Sequence, residues 1–243
     1  TILAIPVARA LARRRFWGRG FLVTLLGAPF ILPVIVAVLG LLAIFGRAGF
    51  LNDILAFFGF AKASIYGLHG VVLAHVFFNL PLATRLLLQG WQTVPAEQFR
   101  LVAQLGLRPS MVFRLIEWRL IVRLLPGAFA LVFVICLTSF AVALTLGGGP
   151  RATTIELASY QAFRFDFDLG RAAVLSILQL GVAGSAAGLA LWFIPSVSFG
   201  GGLDRMQRRW DVRTVWSVVL DSTFIVLALG FLILPLLAIL LSG

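Results

Sequence analysis

The 243-residue sequence is 61% hydrophobic and only 12% charged. A soluble domain of this length carries about twice that share of charged residues, so the composition indicates a protein whose main solvent is lipid. The net charge of +11 could suggest a nucleic-acid partner. However, the basic residues lie in short segments between apolar runs, which is the pattern that fixes topology in a bilayer. We therefore expect a lipid bilayer as partner and no nucleic acid.

Five apolar stretches are long enough to cross a hydrocarbon core, since a crossing takes about 20 helical residues. Lipid satisfies no backbone hydrogen bonds, so each stretch must form a helix. The sequence therefore predicts an all-α polytopic integral membrane protein. The predicted spans are about 21–45, 71–90, 124–146, 172–194 and 222–241, with the end of an earlier helix at 1–12.

The arginine distribution orients these spans, because basic residues are retained on the cytoplasmic side. The opposite loops hold fewer basic residues, and acidic residues accompany them. This pattern places the loop between the second and third spans in the cytoplasm. The predicted cytoplasmic arginines are Arg9, Arg13, Arg14, Arg15 and Arg19 before the first span, Arg100, Arg108, Arg114, Arg119 and Arg123 after the second, and Arg205, Arg208, Arg209 and Arg213 after the fourth.

This cytoplasmic loop contains a predicted short amphipathic helix. Thr93 and Pro95 form a helix-start signal, and Gly106 is expected to end the helix. Pro109 can begin a second helix that runs through Ile116 toward the third span. The predicted apolar face holds Phe99, Val102, Ala103 and Gly106, and the polar face holds Glu97, Arg100, Gln104 and Arg108. The apolar face could lie in lipid headgroups, pack against the protein's own spans, or dock on a soluble partner.

The run "VPAEQFRLVAQLGLRPSMVFRLIEW" resembles the signature loop of ABC importer permeases. In that family a motif of Glu-Ala-Ala, then Gly, then Ile-x-Leu-Pro forms a coupling helix that seats in the ATPase subunit. Gly106 and Ile116 stand at the motif's spacing. The segments "GRAGFLNDIL", "LAHVFFNLPLATRLLLQ", "AQLG" and "LTLGGGPRATTIELASYQA" are similar to those of thiamine permeases, which belong to a group that includes ferric-iron permeases. The resemblance covers most of residues 6–180.

The sequence departs from the general motif at two places. It reads Arg100, Leu101 and Val102 where the motif has Glu-Ala-Ala, and Trp118 and Arg119 where it ends in Leu-Pro. Only Gly106, Ile116 and, loosely, Ala103 are therefore carried over by register. The candidate ATPase-coupling residues are Glu97, Phe99, Arg100, Val102, Ala103, Gly106 and Ile116.

The resemblance implies a type I (MetI-like) permease fold in a bacterial inner membrane. It implies import of thiamine or its phosphates, with ferric iron as the nearest alternative substrate. The implied partners are ABC ATPase subunits, which bind ATP and Mg, a periplasmic substrate-binding protein, and a second permease unit, fused or dimeric. We expect residues 1–194 to form the first permease unit, 195–221 a cytoplasmic connector, and 222–243 the first span of a second unit.

The sequence does not carry the chemistry of an enzyme. No GxxxxGK[ST] motif occurs, and the only lysine, Lys62, lies in a predicted outer loop, so no Walker-type phosphate cradle is expected. With Cys136 as the single cysteine and only two histidines, a metal site built from protein ligands is not expected. An ion-coupled secondary transporter is the alternative from another class, and carboxylates in mid-span would favour it.

Two further groups of residues are candidates for a role in transport. Polar side chains inside spans are costly and can line a pathway, although hydrogen bonds between helices, or from Thr138 and Ser139 to their own helix, are the more usual explanation. The possible pathway residues are His75, Asn79, Thr138 and Ser139. An outer segment after the third span mixes charged and aromatic residues, and it is either a contact for the binding protein or a solvated loop. Its candidate residues are Glu156, Arg164, Asp166 and Asp168.

Overall fold

A computed structural model describes residues 1–147, 153–193 and 215–242, and these residues contain helices and loops but no strand. The helices are α1 (Ala4–Arg13), α2 (Arg19–Leu25), α3 (Ala28–Ile31), α4 (Val34–Phe45), α5 (Phe50–Phe57), α6 (Leu68–Thr93), α7 (Ala96–Gln104), α8 (Pro109–Val112), α9 (Trp118–Leu137), α10 (Phe140–Leu146), α11 (Ile155–Arg164), α12 (Leu169–Phe193) and α13 (Val215–Ser242). A π-helical turn, Phe113–Glu117, joins α8 to α9.

Five segments in the described part of the chain are long and apolar enough to cross a membrane. This confirms the predicted all-α polytopic class and the predicted number of spans. The predicted early helix at 1–12 is also present as α1. The five segments are Val34–Phe57, Leu68–Thr93, Pro109–Leu137, Leu169–Trp192 and Val215–Leu241.

The predicted first span, 21–45, is wrong as a single helix. Turns separate α2, α3 and α4, and Pro33 adopts an extended conformation as the N-cap of α4. A proline has no N–H to donate and disfavours helical geometry in the residue before it. The apolar composition of 21–45 therefore identified the region, whereas its prolines set the helix boundaries.

The predicted third span, 124–146, is also wrong in its limits. The helix runs on from α8 through the π turn, ends at Leu137, and is followed by the separate helix α10. Ser139 interrupts it with a ψ of 69°. The Ser139 hydroxyl donates to Cys136 O at 2.9 Å and so satisfies a carbonyl group at the break. The Thr138 hydroxyl donates to Val134 O at 3.1 Å, which also accepts the Thr138 N–H. Such local bonding offsets part of the cost of breaking a helix in an apolar environment.

The fifth helix begins at Val215 rather than at Ser222, so the last residues of the predicted connector, 215–221, are helical. The rest of that connector, 195–214, lies outside the described residues. The chain folds as two compact units, and each contains segments from distant parts of the sequence. Unit 1 comprises the described residues of 1–28, 79–132 and 188–229, and unit 2 those of 29–78, 133–187 and 230–242.

Close helix packing occurs within each unit. In unit 1, a Cβ atom on Gly90 of α6 would overlap the Leu124 side chain of α9. In unit 2, a Cβ atom on Gly40 of α4 would lie 2.5 Å from the Pro235 carbonyl oxygen of α13. Glycine at these two positions lets the helix backbones approach, as is common between membrane helices.

Candidate functional site

Helix α7 begins and ends where the sequence predicts. Pro95 is its extended N-cap, and Gly106 adopts a left-handed conformation with φ of +64° just after its end. The Leu107 N–H donates to Val102 O at 3.2 Å, and the Gly106 N–H donates to Ala103 O at 3.1 Å. This pair of bonds is a Schellman motif, which favours glycine because a Cβ atom is strained at positive φ.

One face of α7 packs against the chain itself. Phe99 and Val102 are buried and form a cluster with Val94 and Val112. Of the alternatives left open by the sequence, the structure therefore supports packing against the protein's own helices for this face. The residues packed around the cluster are Leu107, Ile116 and Leu120.

The prediction that Ala103 and Gly106 share this apolar face is wrong, because both are exposed. Ala103 is turned away by about 100° from Val102 along the helix, and Gly106 lies in the left-handed turn. The opposite side of α7 is open to solvent. We call it the open face of α7; it comprises Glu97, Arg100, Leu101, Ala103, Gln104 and Leu105, all exposed.

The π turn after α8 holds an ion pair that the sequence analysis missed. The Arg9 guanidinium of α1 donates through Nε to Glu117 Oε2 at 2.6 Å, and it lies 4.9 Å from the ring centroid of Phe113. Glu117 is fully buried. The only sequence signal was an acidic residue between apolar neighbours in an arginine-rich loop.

The end of α1 and its C-cap residue, Arg14, make a second set of ionic contacts, with α13. The Arg14 side chain donates to Asp221 at 2.7 Å and to the Ser217 hydroxyl at 2.8 Å, and Arg13 lies 3.8 Å from Asp221. Asp221 is 5% exposed. Within unit 1, α1 therefore connects the segment that follows α7 with the start of α13.

The predicted pathway residues are only partly brought together. His75 on α6 lies 3.1 Å from the Ser139 hydroxyl, at the break between α9 and α10. Thr138 is exposed and bonds to carbonyls of its own helix. Asn79 is buried one turn beyond His75 on α6, in the other compact unit. A pathway role for all four stays a prediction.

The predicted binding-protein contacts fall into two groups. Arg164, Asp166 and Asp168 are exposed, and Asp168 accepts a bond from the Arg171 N–H at 2.9 Å at the start of α12. Glu156 instead lies in the first turn of α11, where it borders a cleft of about 400 Å³ within unit 2. Contact of these residues with a binding protein stays a prediction. We name this the Glu156 cleft; its lining residues are Phe140, Glu156, Ser159, Tyr160, Phe163, Ser176 and Gln179.

Burial raises the pKa of the Glu156 carboxyl, and a hydrogen bond from the Phe140 N–H opposes this shift in part. Its Oε2 atom is buried and has no hydrogen-bond partner among the described residues. A carboxylate at the edge of the cleft can attract a positive charge placed there.

Known proteins are similar in sequence to this chain, in one case over its full length. No protein-family model matches it. The thiamine transport system permease protein of Escherichia coli K12 is 47% identical over 243 residues, which is all of this chain and 45% of the relative. That of Brucella abortus is 51% identical over 181 residues, or 74% of this chain and 33% of the relative. The chain belongs to this family of transport-system permeases.

The permease chain spans about half the length of the curated relatives it matches, 45% in the Escherichia coli protein. A more distant relative is a probable sulfate transport system permease of Helicosporidium, 27% identical over 184 residues, which are 75% of this chain and 67% of that protein. With bacterial permease relatives and five helices able to cross a bilayer, the chain is a multi-pass protein of the bacterial inner membrane.

Proposed function

We propose that this permease chain is part of an ATP-driven importer that carries thiamine or its phosphates into the cytoplasm. The observation that carries the proposal is the 47% identity, along the whole chain, to a protein named as a thiamine transport permease. Ferric iron is the nearest alternative substrate. The remaining length of the relatives leaves room for a second permease unit in the complete protein.

In this proposal the open face of α7 docks on a separate ATPase subunit, which binds ATP and Mg. Leu101 and Leu105 are 57% and 71% exposed there and are flanked by Glu97 and Arg100. Exposed leucines with a charged rim are typical of a protein interface. The buried face packs α7 against its own chain. Movement of the ATPase subunit bound to the open face would therefore displace α7 together with the residues packed against it.

The same helices offer a route for that force. Pro109 starts a helical segment that continues through the π turn into α9, without a described break until Leu137. A displacement of α7 would therefore be transmitted to the start of the third span, which fits a switch between inward and outward openings. On the other side of the membrane, a periplasmic binding protein would deliver substrate near Arg164, Asp166 and Asp168.

Uptake by cells tests the substrate. Cells that carry the complete gene and lack other thiamine uptake should accumulate labelled thiamine and not labelled ferric iron. Iron uptake without thiamine uptake would overturn the substrate assignment. An importer driven by an ion gradient would instead continue transport when the ATPase subunit is deleted.

Gly106 offers a sharp test of docking. Its surroundings are open, with no atom within 4 Å of an added Cβ, so Gly106→Trp would project a large ring beside the open face of α7. We expect normal membrane insertion and loss of ATPase co-purification. Gly106→Ala is the matched control, because its Cβ atom is strained at positive φ in the same way but adds no bulk beside the open face. An unchanged complex with Gly106→Trp would contradict the proposed docking.

A further inference from the structure

The Glu156 cleft has the size of a small-molecule site. Its volume of about 400 Å³ lies within the range of about 300–1,000 Å³ that is usual for ligand sites. Its walls combine one carboxylate with three aromatic rings, those of Phe140, Tyr160 and Phe163. Few polar groups among apolar walls are typical of sites that orient a small organic ligand.

The carboxylate of Glu156 is held in place before any ligand arrives. Its backbone lies in the first turn of α11, which the Thr154 side chain caps by accepting a bond from the Leu157 N–H at 3.3 Å. The Phe140 N–H donates to the carboxylate, whereas Oε2 is buried without a partner in the described residues. A buried carboxylate oxygen without a donor is costly, and a bound cation would remove that cost.

The aromatic rings are also fixed by the fold. Tyr160 packs edge to face against Phe140, with ring centroids 4.9 Å apart, and against Phe165 at 6.0 Å. Tyr160 and Phe163 remain partly open, 39% and 57% exposed. Aromatic faces attract cations, and sites that combine several rings recognise organic ammonium groups.

The remaining polar groups of the cleft do not suit an inorganic ion. The Ser159 and Ser176 hydroxyls lie 2.9 Å apart, and both donate to Ala172 O. Hard cations require about six oxygen ligands around one point. The polar side chains of this cleft are only one carboxylate, two hydroxyls that already donate to Ala172 O, and the Gln179 amide. The cleft therefore favours a larger cation with a delocalised charge.

We propose that the Glu156 cleft binds an organic cation whose charge is spread over a planar ring, with Glu156 facing the charge and the aromatic rings lining its sides. The thiazolium ring of thiamine has this chemistry, so thiamine is the expected ligand. This assignment of the ligand rests on the proposed function. It makes the cleft a substrate site on the chain, on the predicted outer side of the membrane.

Binding to the complete permease, purified in detergent, tests the proposal by equilibrium dialysis with labelled thiamine. Glu156→Gln should weaken binding by about ten- to a hundredfold, the usual range for losing a charge-assisted contact. Tyr160→Leu should weaken it by about two- to fivefold through loss of cation–π attraction. Asp53→Asn is the matched control, because it removes an exposed carboxylate from α5 of the same unit, and it should bind like the wild type.

A neutral isostere of thiamine, with carbon in place of the charged ring nitrogen, provides the second arm. It should bind the wild type weakly and should not distinguish wild type from Glu156→Gln. Thermal unfolding should first show that both variants are folded. Equal thiamine binding by Glu156→Gln and Asp53→Asn would then overturn the cation site. Loss of binding-protein association in Glu156→Gln with unchanged thiamine binding would make the cleft a protein contact and overturn it too.

Cellular uptake separates this inference from the proposed function. If wild-type cells import thiamine while purified permease shows no Glu156-dependent binding, the cation site is wrong and the proposed function stands. If wild-type cells import no thiamine although the transporter is assembled, the proposed function is wrong, and the assignment of thiamine to the cleft falls with it.

Discussion

Two partly or fully buried carboxylates of this chain, Glu117 and Glu156, have opposite surroundings. Glu117 is ion-paired with Arg9 of the same chain at 2.6 Å, whereas Glu156 forms no ion pair with a described residue and borders an open cleft. A paired buried charge holds helices in place, and an unsatisfied one is available to a ligand. This difference is consistent with a structural role for Glu117 and with the proposed ligand-binding role of Glu156.

The largest effect should follow from removing Arg9. Arg9→Ala removes the guanidinium group that pairs with the fully buried Glu117, and breaking a buried pair in this way costs about 3–5 kcal/mol of unfolding free energy. Thermal unfolding of the purified permease should show a clear drop in Tm. The double substitution Arg9→Leu with Glu117→Leu should recover most of the loss, because no uncompensated charge remains.

Glu156→Gln is the contrasting variant for this experiment. Its carboxylate makes no ion pair with a described residue, so the substitution should change Tm little while it weakens thiamine binding. The comparison breaks down if Arg9→Ala leaves Tm unchanged, or if Glu156→Gln destabilises the permease as strongly as Arg9→Ala.

Substitutions on the two faces of α7 should also have different effects, and the expected difference in stability is the second largest. Phe99→Ala removes a buried ring from the cluster and should cost about 3 kcal/mol of local stability. Faster hydrogen exchange over residues 96–107 would reveal it. Leu101→Ala, on the open face, should change stability by less than about 0.5 kcal/mol and yet weaken ATPase co-purification. Equal effects of the two variants on both measurements would refute the division into a packed face and an open face.

The smallest expected effect concerns pH. Because burial raises the pKa of Glu156, its carboxyl becomes protonated at a higher pH than an ordinary glutamic acid, whose pKa is about 4.3. Thiamine affinity should therefore be full above the raised pKa and should fall as the pH drops through it. Tyr160 is the other titratable side chain that lines the cleft.

The ratio of wild-type to Glu156→Gln affinities isolates this effect, because titration of thiamine itself acts on both proteins and cancels. The ratio should shrink toward one as the pH falls below the raised pKa, and Asp53→Asn should follow the wild type. A ratio that stays constant across this range would show that Glu156 does not carry the charge that attracts the ligand.

Local patterns in the sequence predicted much of this fold. Apolar length identified five spans, and Pro95, Gly106 and Pro109 located the helices of the cytoplasmic loop, since caps and breaks depend on neighbouring residues. The break at Ser139 was missed because serine and threonine are tolerated in apolar helices, so their presence does not mark an end.

The contacts that define the candidate sites depend on residues far apart in the chain. Glu117 gave no sign of its pairing with Arg9, from which 108 positions separate it. Glu156 was predicted as a surface contact from its charge alone. Its place beside Phe140 depended on the separation of α10 from α9, which the sequence analysis had joined into one span. Composition identifies a membrane protein, but it does not specify which charged residues form ion pairs in the folded chain.

The ionic contacts of α1 also bear on how the chain is made. Arg14 and Asp221 are 207 positions apart, so during synthesis the arginines of α1 exist long before their partner does. In that interval their positive charge favours retention of the N-terminal segment in the cytoplasm. When the start of α13 emerges, Asp221 can neutralise them. The same side chains thus serve first as an orientation signal for insertion. Later they form ion pairs with Asp221, once the fifth span has been synthesised.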